Sequence, residues 1–357
     1  MKASFDTPVV LILFNRPARI RELIDALRKT QPSRILAVAD GPRDKHPDDH
    51  AACASARAEL DSIDWPCTIE RNFSPTNLGC DRRTISGIDW AFSLVERAII
   101  LEDDVLPDPS FFPWAVTMLD RFGDDPDVAM ICGRNHLGRW DAGLSDHIRA
   151  RRFSLWGFAG TACAWRRTNA VNLEGDPARA HDDVARPDLD PLLVKCQGQM
   201  LEAYRTGELT SWDIIYGLRT FLLGGAGIVP PVNLTANTGI GPEATKTLFE
   251  DDFNALIPVG TAPAPSASGP SVFDEGFDRA ALLVELMSRC ADPRMALRLA
   301  KRLGRIPLDE RIQLHLAPFA VPDESLGLLE DLAAQGVSSP HFDFLLQTLR
   351  DALAGAS

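Results

Sequence analysis

The sequence has none of the common phosphate-loop or nucleophile signatures. No GxGxxG follows its first apolar run, GxxxxGK[ST] does not occur, and neither does a GxSxG elbow. These absences argue against a dinucleotide-binding unit, a Walker-type ATPase and a serine hydrolase. The seven histidines show no metal-ligand spacing, and the seven cysteines (53, 67, 80, 132, 163, 196 and 290) contain no CxxC pair. An odd, dispersed set argues against a structural zinc site and for a reducing compartment. No apolar stretch reaches the roughly 18 residues of a membrane span, and Met1 to Pro8 has no signal-peptide core. The chain is expected in the cytoplasm, or at most peripherally at the inner membrane. Basic residues are outnumbered, 37 against 50 acids for a formal charge of −13, which argues against nucleic acid as a partner. One local basic cluster, Arg149 to Arg152, reads as a contact for a phosphorylated ligand or an anionic lipid surface, or as a solvated face.

What the chain does have is alternation. Val9 to Phe14 is a continuous apolar run closed by Asn15-Arg16-Pro17, and Ile20, Leu23, Ile24 and Leu27 then repeat at helical spacing. A second strand, Arg34 to Asp40, stops at Asp40-Gly41-Pro42. The opening is therefore β-α-β, with parallel strands and a right-handed crossover. Further strands are expected at Cys67 to Phe73, Ala98 to Leu101 and Val128 to Cys132. Helices are expected over Asp44 to Leu60, around Ile85, Ile88, Phe92 and Val95, and from Phe111 to Phe122. At least four βα units in about 130 residues make an α/β chain with a doubly wound nucleotide-binding arrangement.

The stretch that organises the rest is Ala98-Ile99-Ile100-Leu101-Glu102-Asp103-Asp104. It reads as a buried strand emerging into three carboxylates, and open α/β sheets bind ligands beside the carboxyl ends of their strands. Two carboxylates roughly 4 Å apart repel by several kcal/mol at an effective dielectric near 20, so such a cluster persists best beside a cation. All-oxygen ligands suit Mg²⁺ or Mn²⁺; a solvated acidic loop is the plain alternative. Asp40 stands where a nucleotide base or ribose would lie, or simply forms a turn before Gly41. Arg82 and Arg83 open a helix against its macrodipole, a cost that a phosphate would offset. Trp156, in the aromatic and glycine-rich stretch from Phe153 to Trp165, reads as a sugar floor or as core. Ser211-Trp212-Asp213 caps a helix from Ile214 to Leu223, and Asp213 there is favoured by the helix dipole alone.

Taken in this order, the motifs resemble the GT-A fold glycosyltransferases. They are most similar to the N-acetylglucosaminyltransferase I-like branch and its bacterial sugar-transferase relatives, over about residues 7 to 250. The resemblance implies that Asp40 contacts the uracil or ribose of a UDP-sugar and that Arg83, with Arg82, meets its diphosphate. It implies that Glu102 and Asp103 hold the donor's ribose and sugar, that Asp104 ligates Mn²⁺ (or Mg²⁺), and that Asp213 is the general base beside Trp212. It further implies that a loop from Gly239 to Thr247 orders over the donor. The stretch between the triplet and Trp212 departs from the eukaryotic enzymes, so donor sugar and acceptor do not carry over.

The expected fold is thus a GT-A mixed sheet flanked by helices over residues 1–257, with a nucleotide-sugar half to about 135 and an acceptor half beyond it. A Pro/Ala/Ser linker at 258–271 and a helical C-terminal region at 272–357 would come next, the latter a candidate contact for a membrane or a protein. The expected activity is inverting, metal-dependent transfer of a sugar to a saccharide or glycoconjugate acceptor in bacterial surface polysaccharide synthesis. Two alternatives stand beside it: a sugar-phosphate nucleotidyltransferase, and a non-catalytic nucleotide-sugar or protein-binding module.

Overall fold

The computed structural model describes residues 5–140, 145–239, 257–264 and 272–288, with single positions at 330, 333, 334, 346, 347 and 350. In chain order the elements are β1 (Val9–Leu13), α1 (Pro17–Leu27), β2 (Arg34–Ala39), α2 (Asp49–Ala58), β3 (Thr68–Phe73), α3 (Cys80–Leu94), β4 (Arg97–Glu102), β5 (Val105–Pro107), α4 (Phe111–Phe122) and β6 (Val128–Cys132). They continue with β7 (Ile148–Ala150), β8 (Phe158–Thr161), α5 (Ala162–Asn169), α6 (Ala180–Asp183), α7 (Pro191–Arg205), α8 (Trp212–Leu222), β9 (Ala226–Val229), β10 (Thr235–Asn237) and α9 (Glu275–Ser288).

Eight strands form one mixed sheet in the order β3-β2-β1-β4-β8-β6-β9-β7, and β5 pairs with β10 in a two-stranded ribbon. The first four neighbours run parallel, whereas β8 is antiparallel to both β4 and β6 and β7 is antiparallel to β9. The expected α/β class, a mixed sheet flanked by helices, is what the chain adopts. Alternate residues of β1 feed different layers, as a two-residue period requires. Val9, Leu11 and Leu13 pack with α1 and α4 through Ile20, Leu23, Ile24, Leu27, Phe112 and Met118. Val10 and Ile12 face Ile88 and Phe92 of α3 within a second cluster that also takes in Trp165, Trp212 and Tyr216.

The order places β1 at a switch point. The chain leaves β1 for β2 and β3 on one side and returns to β4 on the other, opening a crevice at the carboxyl ends of β1 and β4. In that register Ile12 faces Glu102, and the Asp103 N–H donates to the Ile12 carbonyl at 2.9 Å. The residues just past Leu13 must therefore meet the residues just past Glu102.

Two local expectations change. The stretch Phe153 to Trp165, read as strand and loop, divides into β8 and the helix α5, whose N-cap Thr161 accepts from the Ala164 N–H at 3.2 Å. The Arg149–Arg152 cluster is neither a solvated face nor open to a phosphate. Arg149 is buried against Asp125 at 2.8 Å, and the Arg151 guanidinium lies 3.6 Å from the Phe273 ring centre just ahead of α9. The expected linker is described only at 258–264, and the helical tail only at α9 and the single positions beyond 329. Among the described residues no helix is long and apolar enough to cross a membrane.

Asp278 docks α9. Its Oδ1 accepts from the backbone N–H groups of Arg151 and Arg152 at 2.7 and 2.8 Å, while Phe277 and Ala281 enter the core. Burial pushes the Asp278 carboxyl up to about 6, against the downward pull of those two N–H groups. A carboxyl raised in the folded state binds its proton there before it does in the unfolded chain. Its contribution to stability is therefore greatest at low pH and fades as pH rises from about 4 to about 6. Asp278→Asn, which keeps the acceptor oxygen, is expected to flatten the melting-temperature profile between those pH values. Asp278→Ala, which orphans two N–H groups, is expected to lower stability by about 1–3 kcal/mol at every pH.

Candidate active site

At the switch point lies a cavity of about 290 Å³ lined by the ends of β1, β2 and β4, the head of α3, the head of α8 and the strand end at Asn237 and Gly239. Of the residues singled out in the sequence, Asp40, Arg83, Glu102, Asp103, Asp104, Trp156, Trp212 and Asp213 all line it. Arg82 does not: it is exposed on the outer side of α3.

The acidic triplet divides by depth. Asp103 is buried, 8% exposed, and its Oδ2 accepts from the Phe14 N–H at 3.0 Å. Asp104 is more open, and its Oδ2 accepts from Arg16 Nη1 at 2.8 Å. The same nitrogen stands 3.4 Å from Asp103 Oδ1, so one guanidinium serves both acids. Burial, then the neighbouring Asp104 charge, pushes the Asp103 carboxyl well above the usual range, against the pull of Arg16. Arg16 answers in kind: burial would lower its pKa, but Asp103 and Asp104 outweigh that and the net shift is upward. Sequence reasoning gave Arg16 no role beyond closing strand one. The signal was there: a base directly after β1 must reach the residues directly after β4 once those strands pair in parallel.

Gly239 rests against the triplet. The Thr238 N–H donates to the Asp104 carbonyl at 2.7 Å, and a Cβ on Gly239 would fall 2.2 Å from Asp104 Oδ2. Only a glycine lets this backbone lie against the carboxylate. Gly239 begins the loop expected to order over a donor; residues 240–247 of that loop lie outside the described residues.

Asp40 and Arg83 line the cavity with their heads committed elsewhere. The Asp40 carboxylate accepts from the N–H groups of Gly41, Leu78 and Gly79 and from the Asn77 amide, at 2.8, 2.9, 3.1 and 3.0 Å. Four donors fill the acceptor capacity of one carboxylate. Asp40 therefore pins the distant turn at 77–79 that leads into α3. Gly79 in that turn has φ +81, which favours glycine. Arg83 donates to the Ala39 carbonyl at 3.2 Å, to the side-chain oxygen of Asn72 at 2.9 Å and to the Asn72 carbonyl, tying α3 to the ends of β2 and β3. Burial pulls its pKa down. Arg43, a third arginine on the wall, is held by Asp49 through bonds of 2.6 and 3.0 Å. Asn15 donates to the same acid at 2.9 Å, and these bonds, Arg43's first, hold the Asp49 carboxyl below the ordinary carboxylate range.

Across the cavity, Trp212 and Asp213 form the first turn of α8. Ser211 makes no side-chain cap bond, contrary to expectation; its hydroxyl donates instead to Asp213 Oδ1 at 2.7 Å. The Trp212 N–H donates to Asp81 Oδ1 at 3.1 Å, so α8 starts from a support on α3. Trp212 sits in an aromatic group with Phe158 and Trp165, ring centres 6.2 and 6.3 Å away. Trp156 carries the Arg134 guanidinium 4.4 Å from its ring centre. Its side chain thus borders both cavity and core.

No family model matches this sequence, and no curated protein does either. Among solved structures, the chain is similar to the mannosyltransferase PcManGT from Pyrobaculum calidifontis in complex with GDP-Man and Mn²⁺. The match has 15% identity and a TM-score of 0.37 and spans 97% of this chain and 80% of that one. It is also similar to the inositol-1-phosphate CTP transferase of T. maritima, at 12% identity and a TM-score of 0.33 over 74% of this chain and 100% of that one. One is described as a mannosyltransferase and the other as a CTP transferase, neither as an N-acetylglucosaminyltransferase. Likenesses this distant leave the activity to be argued from this chain's own residues.

Asp40→Ala removes the acceptor for four donors around a buried turn. It is expected to lower stability by about 2–4 kcal/mol in denaturant unfolding. Arg82→Ala, outside the cavity, is expected to stay within about 0.5 kcal/mol of wild type.

Proposed function

We propose that this chain is a GT-A type glycosyltransferase. In this reading it moves a sugar with inversion from a UDP-sugar to a saccharide or glycoconjugate hydroxyl, with a divalent metal bound. The observation that carries the reading is the convergence of Glu102, Asp103, Asp104 and Asp213 on one cavity at the carboxyl ends of the parallel strands. Acids from the sheet and an acid from α8 face a shared space, as donor and base sites must for attack from opposite sides of a sugar.

The donor set suits a hard cation. Asp104 presents a partly open carboxylate, and the buried Asp103 stands beside it on the same Arg16 guanidinium. Among the described residues no group of three or more His, Cys, Asp or Glu side chains could hold a metal on its own. In this reading one or two carboxylates would hold Mn²⁺ or Mg²⁺, with phosphate oxygens of the substrate completing the shell. When bound there, such an ion would neutralise charge developing on the leaving diphosphate. The protein's own work is then separable. Glu102 and Asp103 accept from donor hydroxyls, Trp156 and Trp212 wall the sugar, and Asp213 takes the acceptor proton as its oxygen attacks. Ser211 holds Asp213 through one carboxylate oxygen.

The nucleotidyltransferase alternative would want a glycine-rich phosphate loop with a basic residue after strand one; Arg16 supplies the base and lines the cavity, but Asn15-Arg16-Pro17 supplies no glycines. That alternative also leaves Asp213 without a task.

Calorimetric titration of UDP, with and without Mn²⁺, tests the reading. Metal-dependent tightening of UDP supports it, and slow hydrolysis of one UDP-sugar among several would name the donor. Preference for a nucleoside triphosphate with a sugar phosphate would favour the alternative, and no nucleotide binding under any condition would remove both. Asp213→Asn is expected to slow transfer by about 10²–10⁴-fold while leaving UDP affinity within about twofold. Asp104→Asn is expected to abolish the metal-dependent part of UDP binding.

A further inference from the structure

The Arg16 guanidinium sits on Asp103 and Asp104, the acids to which the proposed function gives the metal. Its Nη1 lies 2.8 Å from Asp104 Oδ2 and 3.4 Å from Asp103 Oδ1. Arg43 and Arg83, also on the cavity wall, are bound to Asp49 and to the Asn72 region. Arg16 precedes Pro17 at the head of α1 and makes no side-chain cap bond there. Its long side chain is thus anchored by the two acids and not by its own helix.

We propose that Arg16 gates the metal: it is the resident counter-ion of Asp103 and Asp104 until a nucleoside diphosphate draws it away, so that metal and nucleotide bind interdependently. This inference rests on the reading of the cavity as a nucleotide-sugar site. The physical reason is competition for one oxygen. A divalent ion ligated by Asp104 Oδ2 and a guanidinium bonded to the same atom repel one another across a short gap. Displacing the guanidinium costs its charge-assisted bonds to Asp104 and Asp103. A diphosphate supplies replacements for them, because guanidinium matches phosphate oxygens in geometry and charge. The nucleotide then frees the carboxylate that the metal needs. By linkage the metal must strengthen nucleotide binding by the same factor.

Scarcity of protein ligands would by itself make the metal lean on the nucleotide, so the experiment must isolate Arg16. Mn²⁺ is titrated by calorimetry into the full chain without nucleotide, for wild type, Arg16→Gln and Arg19→Gln. Arg19 is exposed on the same helix beside Glu22, and its variant controls for loss of one positive charge. The gate predicts at least a tenfold gain in Mn²⁺ affinity for Arg16→Gln and less than a threefold change for Arg19→Gln. It also predicts that Arg16→Gln binds UDP more weakly and that Mn²⁺ then improves UDP affinity by a smaller factor than in wild type. An unchanged or weaker Mn²⁺ affinity in a folded Arg16→Gln overturns it, as does an equal gain in Arg19→Gln.

Side-chain ¹⁵N NMR of wild-type arginines, assigned with Arg16→Lys, tests the same claim without a charge-removing variant. The Arg16 signal is expected to hold its position with Mg²⁺ alone and to move with UDP and Mg²⁺ together. A signal that ignores UDP with Mg²⁺ overturns the gate. Wild type that binds UDP with metal while Arg16→Gln gains no Mn²⁺ affinity sinks the gate and leaves the glycosyltransferase reading standing. Wild type that binds no nucleotide sinks both.

Discussion

The parallel pairing of β1 with β4 is the constraint on which the site depends. Because Ile12 faces Glu102, the backbone leaving β1 and the backbone leaving β4 emerge side by side. Asp103 is then bonded to the β1 segment at both ends of the residue, its N–H to the Ile12 carbonyl and its carboxylate to the Phe14 N–H. A buried carboxylate without a cation would be strongly disfavoured. The same pairing delivers Arg16 to it. Sheet order, charge balance and cavity are one arrangement seen at three scales.

The walls of the cavity are built from groups already neutralised inside the protein. Asp40 is consumed by the turn at 77–79, Asp49 by Arg43, and Arg83 by the backbone ends of β2 and β3. Fixed pairs of this sort set shape without offering a ligand much new. Arg16 differs from these in being held by two neighbouring acids, Asp103 and Asp104, and in the proposed function the acids turn toward a metal and the guanidinium toward phosphate.

Much of this was legible in the residues, and the parts that were not have a common cause. The buried run Ala98 to Leu101, the β-α-β opening and the helical faces of α1, α3 and α4 come from period and apolar content, which are local properties. So does the end of β4 in acids. What local pattern could not settle is what each polar head meets. Asp40 before Gly41 reads equally as a ligand or a turn, and only the arrival of Leu78 and Gly79 decides what fills its oxygens. Arg83 and Arg82 are adjacent at a helix head, yet one turn angle sends the first onto Asn72 and the second to solvent. Arg149 to Arg152 looks exposed until α9, more than a hundred residues later, covers it. Each depends on contacts distant in sequence, which neither spacing nor composition encodes.

The helix α3 connects the two sides of the cavity. At its head, Gly79 is fastened to Asp40 at the end of β2, and one turn on Arg83 grips the ends of β2 and β3. Between them Asp81 receives the Trp212 N–H and so sets the start of α8, while farther along Asp89 accepts from the Trp165 indole that packs beside Trp212. Asp213 is thereby positioned from the same rigid element that is anchored to the sheet bearing the acidic triplet. In the proposed reaction such a common brace would hold base and leaving-group site in register, where misplacement by about 1 Å is enough to cost 10²-fold in rate. Arg83, read in the sequence as a diphosphate contact, is part of that brace together with Asp81 and Asp89.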